Sequence, residues 1–185
     1  MISQQEFKNI RKELIKFEEN REKLIQSSRE IIRLSKQIIY SLHRNDIKAA
    51  RKYIKLINLK IKKLPKEQFE TNICNVARAE YVEAVCYYEF LQNHKIPGPK
   101  KLKVIPEIYL IGLCDLTGEL VRKAVALVMK KNYKEIEKIY EFVETLYNEF
   151  LMFDLRNGEL RKKSDSIKWN LKKLEEVVLQ LRLRK

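Results

Sequence analysis

The chain has very little of what breaks helices: four glycines and four prolines in 185 residues. That scarcity points to long helices and few turns, and no tandem repeat is found along the chain. It has no apolar run near the eighteen or so residues that a membrane span needs, which argues against a transmembrane segment. The start, MISQQEFKNIRKEL, is charged and amphipathic with no apolar core of a signal peptide, so a soluble, cytoplasmic protein without a membrane partner is expected. The three cysteines, Cys74, Cys86 and Cys114, are odd in number and lack CxxC spacing, which points to small core residues rather than a disulfide or zinc site.

What is abundant is basic charge. Thirty-nine Lys+Arg against 25 Asp+Glu leave +14, a balance that favours a polyanionic partner such as nucleic acid. Lys, Glu, Leu and Ile dominate, and the fold class read from them is all-α, a single domain over 1–185 with about six to seven helices.

Periodicity and caps divide the chain. From the N-cap candidate Ser3, apolar residues recur at helical spacing to Arg44, predicting a first helix about 60 Å long at 1.5 Å per residue. Asn45 and Asp46 can cap a second helix to about Lys63, before Pro65. A third is expected from about Lys66 to His94, followed by the loop KIPGPKKLK (95–103). Pro106 opens a fourth to about 130, Asn132 precedes a fifth over roughly 134–152, and a basic last helix follows Gly158.

Two acidic pairs stand out. In ARAEYVEAVCYYEFL (77–91), Glu80 and Glu83 lie about 60° apart on a helical wheel, on the face of Ile73, Val76, Ala84, Tyr87 and Leu91. In the fourth helix, Asp115 and Glu119 are spaced i, i+4 among Ile108, Ile111, Gly112 and Ala126. If the third and fourth helices are antiparallel neighbours, Glu83 and Glu80 lie about 16 to 21 Å from the connecting end, and Asp115 and Glu119 about 12 to 18 Å. All four carboxylates then meet at one level. Inward carboxylates repel unless protons or cations intervene, and oxygen-only ligands suit Mg²⁺ or Mn²⁺. The competing reading is a set of buried salt bridges, with Arg122 ready to pair with Asp115 or Glu119. A ferritin-like di-iron site needs Glu-x-x-His, and the two histidines, His43 and His94, are expected elsewhere.

These residues carry a resemblance. ARAEYVEAV (77–85) and DLTGELVR (115–122) resemble the acidic motifs of translin-associated factor X. The segment LRNGELRKKSDSIKWNLKKLEEVV (155–178) resembles the C-terminal helix of translin, and SSREIIRLSKQIIYSLHR (27–44) is similar to the family's first helix. The resemblance, to a prokaryotic, archaeal-type member of the translin and factor X family, implies a translin-like helical bundle assembling into a hollow octamer. It implies binding of single-stranded RNA or DNA and metal-dependent endoribonuclease activity, with Glu80, Glu83, Asp115 and Glu119 holding the metal. The alternative is a non-catalytic oligomer that binds single strands. This chain combines a translin-like tail with factor-X-like acidic helices and is shorter than eukaryotic factor X.

For nucleic-acid contact, Arg29, Arg33 and Lys36 fall at i, i+4 and i+7 on the first helix, with Arg44 near its end. Arg122 adds a cation beside the second acidic pair. Arg161, Lys162 and Lys163 form a further basic stretch. Tyr87 and Tyr88 are possible base-stacking rings, although Tyr87 falls in the apolar stripe, where core packing is its expected role. The first helix is too long to bury its apolar faces against a domain of about 16 Å radius of gyration. Its surface and a stripe on the last helix (Leu160, Ile167, Leu171, Leu174, Val178, Leu181) are the two expected assembly surfaces of a homo-oligomer.

Overall fold

The computed structural model describes residues 3–65 and 69–183. The described residues form seven helices and no strand: α1 (Gln4–His43), α2 (Ile47–Ile61), α3 (Ile73–Asn93), α4 (Pro99–Leu102), α5 (Pro106–Val128), α6 (Tyr133–Leu151) and α7 (Glu159–Leu183). The caps explain most boundaries. Ser3 and Glu6 form a capping box, in which the Glu6 amide donates to Ser3 Oγ at 3.2 Å and the Ser3 amide donates to Glu6 Oε2 at 2.7 Å. Asp46 Oδ1 accepts from the Ala49 amide at 2.9 Å to start α2, and Asn132 does the same for α6. Pro106 fills the first turn of α5, where its missing N–H costs nothing. The expected 95–103 loop contains the short α4.

One boundary differs from expectation. The third helix begins at Ile73 rather than near Lys66, because Phe69 and Glu70 have φ of 41° and 55°, outside the helical region. Lys66 itself lies outside the described residues.

At the centre, α3 packs against α1, α2 and α5, while α5 also meets α6 and α7. Nearly every residue from Tyr81 to Phe90 is buried, and the three cysteines are buried, free core residues as expected. The approach of α3 to α5 turns on Gly112, since a Cβ there would sit 2.7 Å from the Ala79 carbonyl oxygen and from Val82. Cys86 and Tyr109 also lie within electrostatic range of each other. Higher numbers on α3 thus pair with lower numbers on α5, the antiparallel register expected.

The long first helix overshoots the bundle. Its buried positions begin at Leu24, whereas Phe7, Ile10, Leu14 and Ile15 are exposed and Phe17 only meets Phe69 edge-on. The expected assembly stripe on the last helix is corrected: Leu160, Ile167, Leu171, Leu174 and Val178 are buried and Leu181 is half-buried, because α7 turns that face onto α5 and α6. Apolar surface is instead left open by Leu151, Phe153 and Trp169 around a cavity of about 480 Å³, and by Met152 and Leu179.

Candidate functional site

The register set by Gly112 brings the two acidic pairs into one electrostatic cluster. Glu83 is 8% exposed, and its carboxyl is pushed up to about 8, first by burial and then by the charges of Asp115, Glu80 and Glu119, with Lys163 pulling weakly the other way. Glu80 is half-buried and also raised, by burial first; the Lys36 charge opposes this, while Asp115 and Glu119 add to it. Val76, one turn before Glu80, is exposed. The face read as an inward stripe therefore grades from open at Val76 to closed at Glu83 and Tyr87, so the acids line the closed end of an accessible face.

Asp115 and Glu119 have found basic partners. Lys163 on α7 donates from Nζ to Asp115 Oδ1 at 2.7 Å. Burial works against its ammonium, but the hydrogen bond and charge of Asp115 outweigh it, and the lysine is held above its ordinary value. His43 at the end of α1 bonds through Nε2 to Glu119. With Nε2 donating to the carboxylate, Nδ1 is left to accept from the Tyr87 hydroxyl at 3.4 Å. Arg122 Nη1 stands 3.8 Å from Glu119 while remaining largely exposed. The pairing of Arg122 is as the sequence suggested.

The placement of His43 away from the acids is a correction. At about 100° per residue, Arg29, Lys36 and His43 repeat every seven positions on one face of α1, a spacing that would have carried the basic stripe to the acids. Lys163, one of three adjacent cations, had no comparable signal because its partner is 48 positions away. His94 is apart from the site and pairs with Glu135 at 3.7 Å.

Among the described residues, no three His, Cys, Asp or Glu side chains converge closely enough to form a ready-made metal cage. The expected four-carboxylate ligand set is thus gathered in one region but not closed around one point, since Lys163 and His43 hold two of the four. Neither Glu80 nor Glu83 forms a salt bridge among the described residues. A cluster of oxygen donors whose innermost member is driven toward the protonated form lacks positive charge, and a hard divalent cation is of the kind that fits it.

Arg29, Arg33 and Lys36 on α1, and Arg44 at its C-cap, are all exposed. Glu30 pairs across to Lys60 at 3.0 Å and Glu18 with Arg21, which leaves Arg29 and Arg33 without a salt bridge among the described residues. Tyr87 is 0% exposed and Tyr88 8%, with the Tyr88 hydroxyl accepting from Arg51 Nε at 3.4 Å. Both rings belong to the core, and neither offers a face for base stacking.

A model described as the Translin family matches residues 19–185. An uncharacterized protein of Methanocaldococcus jannaschii is 34% identical over 153 residues, covering 78% of this chain and 68% of that one. Translin of Gallus gallus is 40% identical over 78 residues, only 42% of this chain and 34% of its own length. Among solved structures, apo-NeC3PO superposes with a TM-score of 0.88 at 30% identity, covering 97% of this chain and 98% of that one. A complex of AfC3PO with duplex RNA has the same fold, with a TM-score of 0.85 at 24% identity and the same coverage. Among the described residues, no helix is long and apolar enough to cross a membrane.

Proposed function

The chain belongs to the translin family, and on that premise we propose that it is a divalent-metal-dependent endoribonuclease acting on single-stranded RNA. The observation that carries this reading is Glu83, buried beside three other carboxylates and raised to about 8, at the end of a face flanked by exposed Arg and Lys. Binding a polyanion gains nothing from gathered negative charge, so the acids serve something other than affinity.

In this reading Glu80, Glu83, Asp115 and Glu119 would hold Mg²⁺ or Mn²⁺. When bound, such an ion supplies positive charge beside the attacked phosphate and lowers the pKa of water. The rest falls to the chain's own groups. His43, steadied by Tyr87, fixes the orientation of the Glu119 carboxylate. Lys163, bonded to Asp115, competes with a bound cation for that carboxylate. Arg29, Arg33, Lys36 and Arg44 take the phosphates of the strand along α1, and Arg122 takes one at the acidic end. Single-stranded DNA fits the same basic surface as a second ligand.

The active form is proposed to be a homo-oligomer, an octamer around a cavity. The chain exposes 12410 Å² against about 9400 Å² expected for a compact chain of 22.2 kDa, and the exposed Phe7, Ile10, Leu14 and Ile15 add apolar surface wanting a partner.

A second reading, an oligomer that binds single strands without cutting them, is favoured by the Lys163–Asp115 ion pair and the His43–Glu119 hydrogen bond, which already engage half of the cluster. Labelled single-stranded and duplex RNA, incubated with the purified protein and Mg²⁺ or EDTA, separates the two. The nuclease reading expects cleavage of the single strand that needs the metal and is lost in Glu83→Ala and Asp115→Ala, while binding persists. Binding with no cleavage under any metal would leave the second reading standing alone.

A further inference from the structure

Nine tyrosines occur in the chain, all of them among the described residues, and of these Tyr40 alone is exposed, at 52%. Exposure of one ring means little by itself; its neighbours give it meaning. At about 100° per residue, His43, Lys36, Arg29, Tyr40, Arg33 and Arg44 fill an arc of about 100° of α1, in that order. On one side of Tyr40 lie the residues that face the acidic cluster, His43 bonded to Glu119 and Lys36 acting on Glu80. On the other lie the exposed Arg33 and Arg44. Tyr40 therefore stands within the basic stripe, between the cations nearest the acids, Lys36 and Arg29, and those farther from them, Arg33 and Arg44. Other exposed aromatics have different company: Phe7 lies near Ile10 and Leu14, and Phe153 and Trp169 line one cavity with Leu151. Those are apolar surfaces suited to protein, whereas a ring ringed by cations suits a base on a phosphate strand.

We propose that Tyr40 is a stacking platform for one base of the bound RNA, at the step where the strand passes from the α1 cations to the acidic cluster. This rests on the RNA-binding part of the function proposed above. Helical side chains lean toward the N-terminus, which carries the ring over the turn of Lys36 and beside the phosphate that this lysine meets. Stacking is indifferent to base identity but needs a base with a free face, which a duplex does not offer. Selection for single strands then begins at this residue, independently of any enclosure by an oligomer.

The test is fluorescence anisotropy in EDTA, with a labelled single-stranded RNA and a fully abasic phosphodiester of the same length, on wild type, Tyr40→Ala and Tyr40→Phe. One stacked base makes wild type bind the RNA about fivefold or more tighter than the abasic strand. Tyr40→Ala is expected to lose that preference while keeping its affinity for the abasic strand, and Tyr40→Phe to retain the preference. A wild-type ratio in Tyr40→Ala overturns the platform, as does equal loss in Tyr40→Phe, which would assign the effect to the hydroxyl. Binding of neither strand by wild type would instead overturn the RNA reading itself, and the platform with it.

Discussion

Replacing Glu83 by Gln should stabilise the metal-free protein, and increasingly so as the pH rises from about 4.5 toward about 8. The Glu83 carboxyl is held at about 8 in the folded chain against the usual 4.5. The folded state thus binds its proton more tightly than the unfolded chain does. Stability from this group is full below about pH 4.5, declines as the pH rises toward about 8, and levels off above. At about 1.4 kcal/mol per pH unit the fully developed cost is of the order of 3 to 5 kcal/mol at pH 8.5. Gln, of nearly the same shape and always neutral, removes that cost and leaves the packing of α3 in place. For a chain of this size each kcal/mol is worth about 2 to 4 °C, so roughly 6 to 20 °C of extra thermal stability is expected at pH 8.5 and little at pH 5. Melting curves in EDTA at the two pH values measure it. Adding Mg²⁺ or Mn²⁺ at pH 8.5 should narrow the gap, because a cation stabilises the wild type and not the neutral variant. An equal change at both pH values, or a loss at both, would refute the assignment of Glu83 as the charge-starved member of the cluster.

The two glycines inside α5 should respond in opposite ways. Gly112→Ala drives a methyl to 2.7 Å from the Ala79 carbonyl oxygen and Val82, and should cost about 1 to 3 kcal/mol by denaturant melting, whereas Gly118→Ala meets only Asn170 Nδ2 at 3.8 Å and should gain up to about 1 kcal/mol. Lys163→Gln frees Asp115 of a competing cation, so calorimetric titration should show tighter Mn²⁺ binding; weaker binding would make Lys163 a support of the site rather than a competitor. Arg29→Glu with Arg33→Glu should weaken single-stranded RNA binding and flatten its fall with salt, and an unchanged salt slope would remove the α1 stripe from the binding surface. Deleting residues 3–20 removes side chains that are nearly all exposed, so the remainder should stay folded by circular dichroism while light scattering reports a lower assembly mass; an unchanged mass would clear this segment of any role in assembly.

Local chemistry was enough for what a single helix decides. Ser3, Asp46, Pro106 and Asn132 mark helix starts because capping and proline geometry act over three or four residues. The helical rise was enough to put Glu80, Glu83, Asp115 and Glu119 at one level, since the level depends only on distance from a shared loop. The excess length of α1 was legible for the same reason, a length fixed by residue count. Only the packed structure decided which amphipathic faces remained open. The leucine stripe of α7 looked as available as the apolar surface of α1, but α7 lies along the bundle and α1 runs past its end, and periodicity carries no information on where the neighbouring helices stop. Tertiary packing likewise set the fate of the four acids. His43 and Lys163 reach Glu119 and Asp115 across 76 and 48 positions of sequence, and whether a carboxylate is left without a basic partner and driven toward its protonated form, as Glu83 is, depends on which side chains neighbouring helices deliver to that level.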